Sequence, residues 1–270
     1  MNGEPYDVVI LSDLHLGSEI SRASEALELL QSIQFRRLIL LGDIFCDLNF
    51  RRLKREHWDF LSHIRKLSNP KRKVDVVWVE GNHDYGLVDV MSHLVGVAAH
   101  TEYAWESGGV RHLAIHGHQF DHFIIRNHLL LNGLASQVYL SIQKLNAKGR
   151  LAARMLDKLN TRWQRLTPKV AAGAMAYARA RGADCVYCGH THEAVLLREK
   201  GVVYANAGAW THRVPAYITI REREVEIHEY VGRTGRGHSG PERREIAAAP
   251  APVPGPAGLP VHEGYQYISG

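Results

Sequence analysis

Apolar residues fall along this chain in short runs rather than long stripes. "YDVVIL", "RLILL" and "VDVVWV" are nearly continuous and rich in β-branched residues, the pattern of buried strands. Between the first two, "SRASEALELLQSI" places Ala26, Leu29, Leu30 and Ile33 on one helical face. "HWDFLSHIRKL" sits helix-like between the second and third. Strand, helix, strand, helix, strand predicts a parallel α/β layer at the N-terminal end. Further on, "VRHLAI", "DCVYC", "AVLLRE", "VVYAN", "AYITIRE" and "EVEIHEY" predict more strands. Their short connections point to a second, more antiparallel sheet.

Residues 121–181 break this rhythm. Leu134, Val138, Ile142 and Leu145 form one apolar stripe, Leu151, Met155, Leu159 and Trp163 another, and Pro168 can open a third helix. The net charge of +5 is concentrated here, with eleven Lys or Arg against Asp121 and Asp157. Arg150, Arg154, Lys158 and Arg162 repeat every four residues and so share one helical face beside an apolar stripe. Such a face suits an acyl chain joined to a phosphate, or an anionic membrane surface. Arg150, Arg154 and Lys158 are therefore expected substrate contacts. From about Val231 the composition shifts, and six of the ten prolines lie beyond position 240. The expected organisation is one domain over 1–230 with a helical insert at about 121–181, and a flexible Pro/Gly/Ala-rich tail over 231–270.

Hydrophobic residues make up 45% of the chain, enough for a proper core. Three cysteines, Cys46, Cys185 and Cys188, make a disulfide framework improbable and fit a reducing compartment. The N-terminus lacks the basic start and apolar run of a signal peptide, and no apolar stretch approaches the ~20 residues of a membrane span. A cytoplasmic location is expected, with a peripheral contact at the inner membrane left open.

The candidate chemistry lies at the strand ends. "VVILSDLHLGS" supplies Asp13 and His15, "LILLGDIF" Asp43, "VVWVEGNHDYG" Asn82, His83 and Asp84, "HLAIHGHQFD" His116 and His118, and "CVYCGHTH" His190 and His192. An Asp or Asn after a strand is usually a turn residue. Five clusters of ligand-type residues at five strand ends exceed what turn chemistry needs, and sites in α/β folds form at such ends. "DCVYCGHTH" also has the cysteine gap of a zinc knuckle. On a strand, however, Cys185 and Cys188 point to opposite faces and cannot share an ion. Only the histidines are expected to matter.

This ordered pattern resembles the calcineurin-like metallophosphoesterases, whose signature is Asp-x-His, Gly-Asp, Gly-Asn-His-Asp, a lone His and Gly-His-x-His. The resemblance spans roughly Asp7 to Tyr230. It implies a four-layer α/β/β/α sandwich of two mixed sheets, a helical insert serving as lid, and two divalent ions. One ion would take Asp13, His15, Asp43 and His192; the other Asp43, Asn82, His116 and His190, with Asp43 bridging. Oxygen and imidazole donors suit Mn²⁺ first, with Fe or Zn²⁺ as alternatives. His83 would serve as general acid, with Asp84 holding its ring.

"SDLHLGS", "GDIF", "HGHQFD", the helical insert before "CGHTH", and "VVYANAGAW" resemble the UDP-2,3-diacylglucosamine pyrophosphatase group of lipid A synthesis. Two departures stand out: His83 where that group commonly has Arg, and His118 where it has Asp. His118 is expected to contact substrate. The expected activity is hydrolysis of a phosphodiester or pyrophosphate bond in a small phosphorylated substrate, a nucleotide-linked lipid foremost. Another small phosphoester, a nuclease and a non-catalytic scaffold are the alternatives. Intact ligands argue against a scaffold, and an insert poor in base-stacking aromatics argues against nucleic acid. The sequence leaves the oligomeric state open.

Overall fold

The computed structural model describes residues 4–85, 93, 96–121 and 167–232. The three N-terminal apolar runs form β1 (Tyr6–Leu11), β2 (Phe35–Leu41) and β3 (Asp75–Val79), paired in parallel and extended by a short β4 (Ala99–His100). A continuous apolar run has to bury both of its faces. Here Val9, Leu11, Leu38, Leu40 and Trp78 enter one core, whereas Val8, Ile10, Ile39, Leu41, Val77 and Val79 enter a second.

The first core is roofed by α1 (Ala23–Ser32) and α2 (Arg55–Leu67). They bury Ala23, Ala26, Leu29 and Leu30, and His57, Phe60, Leu61 and Ile64. Leu29 and its neighbours therefore anchor α1, and truncating such a side chain to Ala costs ~2–5 kcal/mol. Ile33 falls just past the helix in extended backbone, and still packs against the same core.

The second sheet contains β5 (Glu102–Ser107), β6 (Val110–Ile115), β7 (Cys185–Cys188), β8 (Ala194–Glu199) and β9 (Val202–Ala207), in the order β5-β6-β7-β9-β8. The sequence pattern predicted a mainly antiparallel sheet; in the structure its centre is parallel. β7 pairs in parallel with both β6 and β9, and only the edge strands β5 and β8 are antiparallel. Parallel neighbours need a long crossover. Residues 116–184 separate β6 from β7, and β8 with its turns separates β7 from β9. The last two strands, β10 (Ala216–Arg221) and β11 (Glu224–Glu229), leave this sheet altogether. Their hairpin adds to the free edge of β1, antiparallel to it. Both sheets are thus mixed.

Helical residues 167–180 cover the outer face of the second sheet, burying Val170, Ala171, Ala174, Met175 and Ala178. They agree with a helix opening near Pro168. The layers are therefore helix, sheet, sheet, helix. Strand β7 shows the parity of the arrangement: Cys185 and Tyr187 face the inter-sheet core, and Val186 and Cys188 face helix 167–180. The two cysteines point apart as their spacing requires. Burial pushes both thiols above their ordinary range, so neither offers a thiolate at neutral pH.

The stripes running from Leu134 to Trp163, the cations Arg150, Arg154, Lys158 and Arg162, and nearly all of the tail lie outside the described residues. Among the described residues no helix is long and apolar enough to cross a membrane.

Candidate metal centre

All the clusters singled out in the sequence follow strands that are parallel within their sheets: β1, β2 and β3 in the first sheet, and β6 and β7 in the second. The carboxyl ends of the two sheets therefore deliver their loops to one edge of the sandwich. The loops are tightly bent. Asp13, His15, Asp43, His190 and His192 all have left-handed backbone, with φ between 47° and 65°. Non-glycine residues adopt this conformation at a cost of ~1–3 kcal/mol each, and it concentrates at functional sites. Close approach between loops is equally demanding. A Cβ added at Gly81 would lie 2.2 Å from the Asp43 nitrogen, a contact that only glycine avoids.

Two sets of acceptor atoms converge at this edge. In the first, Asp13 Oδ1 lies 3.1 Å from His192 Nε2 and 3.8 Å from His15 Nε2, and the two imidazole nitrogens are 3.2 Å apart. In the second, Asp43, His116 and His190 each present a donor atom within 4.8 Å of the others. His116 donates from Nδ1 to the Leu41 carbonyl at 3.0 Å, which leaves the Nε2 lone pair facing Asp43 Oδ2 at 3.3 Å. A third group of the same kind joins His15, Asp43 and His83.

Asp13 Oδ1, Asn82 Oδ1 and His116 Nε2 are buried and take no hydrogen bond within the protein. Buried polar atoms of this kind require a partner. A cation between them is the partner that satisfies several acceptors at once.

The electrostatics agree with that role. Burial pushes the Asp13 carboxyl up, but His192 and His116 overcome it and hold the group below its ordinary range. Asp43 is likewise pushed up by burial and pulled well down by His116 and His83. Burial and the neighbouring His83 drive His15 down to about 3, so its ring is neutral with a lone pair available. At His116 burial pushes the imidazole down, but Asp43 and Asp13 together with the Leu41 carbonyl outweigh it and raise the group to about 10. A site that holds a proton so firmly has a field that favours positive charge. Ionised carboxylates, imidazoles and an amide oxygen form a donor set suited to Mn²⁺, Fe or Zn²⁺. The residues present fit divalent metal.

Second-layer contacts hold these groups in place. Ser12 donates its hydroxyl to Asp13 Oδ2 at 2.5 Å, and the His190 N–H donates to the same oxygen at 3.0 Å. The His83 N–H donates to Asp43 Oδ1 at 2.8 Å. The expectation that Asp84 holds the His83 ring is corrected. The Asp84 carboxylate instead accepts backbone N–H groups from Gly81 at 2.6 Å, Ile44 at 2.9 Å and Asp43 at 3.3 Å. It ties the β2 loop to the β3 loop, and burial beside Asp43 raises it to about 6. The His83 ring is held by the Cys46 carbonyl, 2.8 Å from Nδ1. Nδ1–H donates there, and Nε2 is left for chemistry.

His118 stands beside the second set, its ring centre 5.5 Å from that of His116 and 6.4 Å from that of His190. Two neighbours were not anticipated from the sequence. Asp121 Oδ2 is 3.3 Å from His190 Nε2, and the His212 ring centre is 5.8 Å from that of His192. Asp121 lies inside the quoted "HGHQFD" and could have been noticed there; "AWTHR" carries no comparable signal for His212.

Among solved structures, the fold is similar to vacuolar protein sorting 29 from Cryptosporidium parvum, at 16% identity and a TM-score of 0.46, covering 86% of this chain and 95% of that one. It is also similar to an archaeal phosphodiesterase, at 15% identity and a TM-score of 0.44, covering 83% of this chain and 99% of that one. A predicted phosphoesterase from Streptococcus pneumoniae aligns at 13% identity and a TM-score of 0.38, covering 84% and 91%. No curated protein sequence matches the chain. A family model does: it takes in residues 7–222, from β1 to the β10–β11 turn and so every loop of the centre, and by that match the chain belongs to the calcineurin-like phosphoesterase superfamily.

Proposed function

We propose that the chain is a dinuclear metal-dependent hydrolase of a phosphodiester or pyrophosphate bond. One ion would be held by Asp13, His15, Asp43 and His192, the other by Asp43, Asn82, His116 and His190. The observation that carries this reading is the convergence of two acceptor sets on one edge, with Asp43 reaching His116 on one side and grouped with His15 on the other. Two bound divalent ions supply positive charge to a phosphoryl group and acidify water at neutral pH.

The chain's own residues do the rest. His83 anchors Nδ1–H on the Cys46 carbonyl, so a proton on Nε2 can pass to the oxygen of the departing group. Its backbone N–H grips Asp43, which couples the acid to the ligand set. Asp84 fixes the β2 and β3 loops against each other through their backbone N–H groups. It therefore preserves the spacing between His83 and Asp43.

For the substrate, we infer a nucleotide-linked lipid of the UDP-2,3-diacylglucosamine type, cleaved at its pyrophosphate. Support comes from the surface. Ile20, Leu48, Tyr85 and Val214, all about half exposed, lie on the loops after β1, β2, β3 and β9. Apolar side chains on the loops that form and flank the site suit a substrate with an acyl portion.

Hydrolysis with Mn²⁺ should be compared for UDP-2,3-diacylglucosamine, bis-p-nitrophenyl phosphate, cyclic nucleotides and phosphomonoesters. The expected result is cleavage of the acylated nucleotide sugar to UMP and the sugar 1-phosphate. Cleavage of the simple diester alone would refute the lipid assignment, and no cleavage of any substrate would refute the enzyme. His83→Ala should retain metal and slow turnover by ~10²-fold or more, with a smaller deficit for leaving groups that need no proton.

A further inference from the structure

Asp121 is a buried carboxylate, 5% exposed, to which the sequence pattern gives no task. It follows the short turn His118–Phe120, and its Oδ2 lies 3.3 Å from His190 Nε2. His190 is otherwise tightly placed by its backbone. Its N–H donates to Asp13 Oδ2 at 3.0 Å, and the Gly189 carbonyl before it accepts from the Asn206 side chain at 2.6 Å. Those contacts fix the Cα of His190 and leave the rotation of its ring undetermined. The ring also stands edge-on to His116, with centres 5.4 Å apart, and that contact prescribes no tautomer.

We propose that Asp121 is a positioning residue for the second ion: it accepts the Nε2–H of His190, fixes the ring, and leaves Nδ1 as the nitrogen that binds metal. The inference rests on the dinuclear reading above and deepens it. Its physical basis is general. A ligating histidine presents the correct tautomer only when its other nitrogen donates to a fixed acceptor, and a carboxylate acceptor also raises the basicity of the ligating nitrogen. Asp121 meets both conditions, because it is a buried carboxylate and its Oδ2 lies beside Nε2 of the ring. Among the described residues it belongs to none of the three metal-sized groups, one of which joins His190 to Asp43 and His116.

The test uses the full chain and reads metal binding, not turnover. Mn²⁺ and Zn²⁺ affinities are measured by competition with a chromophoric chelator for the wild type, Asp121→Asn and Asp121→Ala. Loss of such an outer carboxylate weakens an ion by ~10–100-fold. Asp121→Ala should lose that factor at one ion and leave the other unchanged. Asp121→Asn keeps an acceptor oxygen without the charge and should fall between the two. The metal-free melting temperature of Asp121→Asn should match the wild type, which separates positioning from a merely structural role. Two ions bound by Asp121→Ala with wild-type affinity would overturn the proposal, as would equal weakening of both ions in Asp121→Asn. A wild-type chain that takes up no second ion would refute the dinuclear reading itself, a different outcome from either.

Discussion

Gly42→Ala perturbs the centre without replacing any ligand. Gly42 has a left-handed φ of +76°, and an added Cβ would lie 2.3 Å from His116 Nδ1 and 2.5 Å from its Cγ. An L-residue in that backbone conformation costs ~1–2 kcal/mol. Carbon-to-ring contacts settle near ~3.5–4 Å, so the His116 ring must retreat by roughly 1 Å. That movement breaks the 3.0 Å bond from Nδ1 to the Leu41 carbonyl. Losing the bond adds ~0.5–1.5 kcal/mol. The total is ~1.5–3.5 kcal/mol of stability, within the reserve of an ordinary domain. The larger effect falls on function, because Nε2 moves with the ring and leaves its place beside Asp43 Oδ2. Metal affinity at that ion should drop at least ~10-fold. Urea unfolding of metal-free protein measures the first quantity and calorimetric titration with Mn²⁺ the second. Wild-type stability together with two ions of unchanged affinity would refute the reasoning.

Two further outcomes are expected. His112, buried on β6 against Trp105 and Tyr187, is pushed by burial down to about 4 from its ordinary 6.5. The unfolded chain therefore takes up the proton first, and the stability present above pH 6.5 is lost as pH falls towards 4; by linkage the loss is ~2 kcal/mol between about pH 8 and about pH 5. Urea unfolding of His112→Gln should lack this part of the slope, and an unchanged slope would contradict the assignment. Cys185→Ala combined with Cys188→Ala should keep the full metal content, because the thiols face different cores, and should cost ~1–3 kcal/mol from lost packing. Loss of metal in that variant would restore the zinc-knuckle reading.

Much of the fold could be read locally. Continuous apolar runs became β1, β2 and β3, and the odd separation of Cys185 and Cys188 set them on opposite faces of β7. Which sheet a strand joins could not be read in this way. β10 and β11 follow β9 closely, yet β10 pairs with β1 some two hundred residues earlier and carries β11 with it, a choice made by long-range burial rather than local pattern. Strand β5 was missed because "EYAWES" alternates between partly buried and exposed positions at a sheet edge and lacks a continuous apolar run. At the site, the side chains that carry chemistry were visible as residue types after strands. Their supports were not. The acceptor for His83 is a backbone carbonyl at Cys46, which any residue could supply, and Asp84 spends its oxygens on backbone N–H groups. Asp121 reaches His190 across 69 positions of chain, a pairing that only the folded sandwich brings about.

The claim that two ions share Asp43 is tested most directly by elemental analysis of protein loaded with Mn²⁺ and freed of excess metal. The account predicts about two ions per chain for the wild type. Asp43→Ala, with its circular dichroism unchanged, should hold fewer than about one, since both ions lose a shared carboxylate. Two ions retained by Asp43→Ala, or none taken up by the wild type, would contradict it.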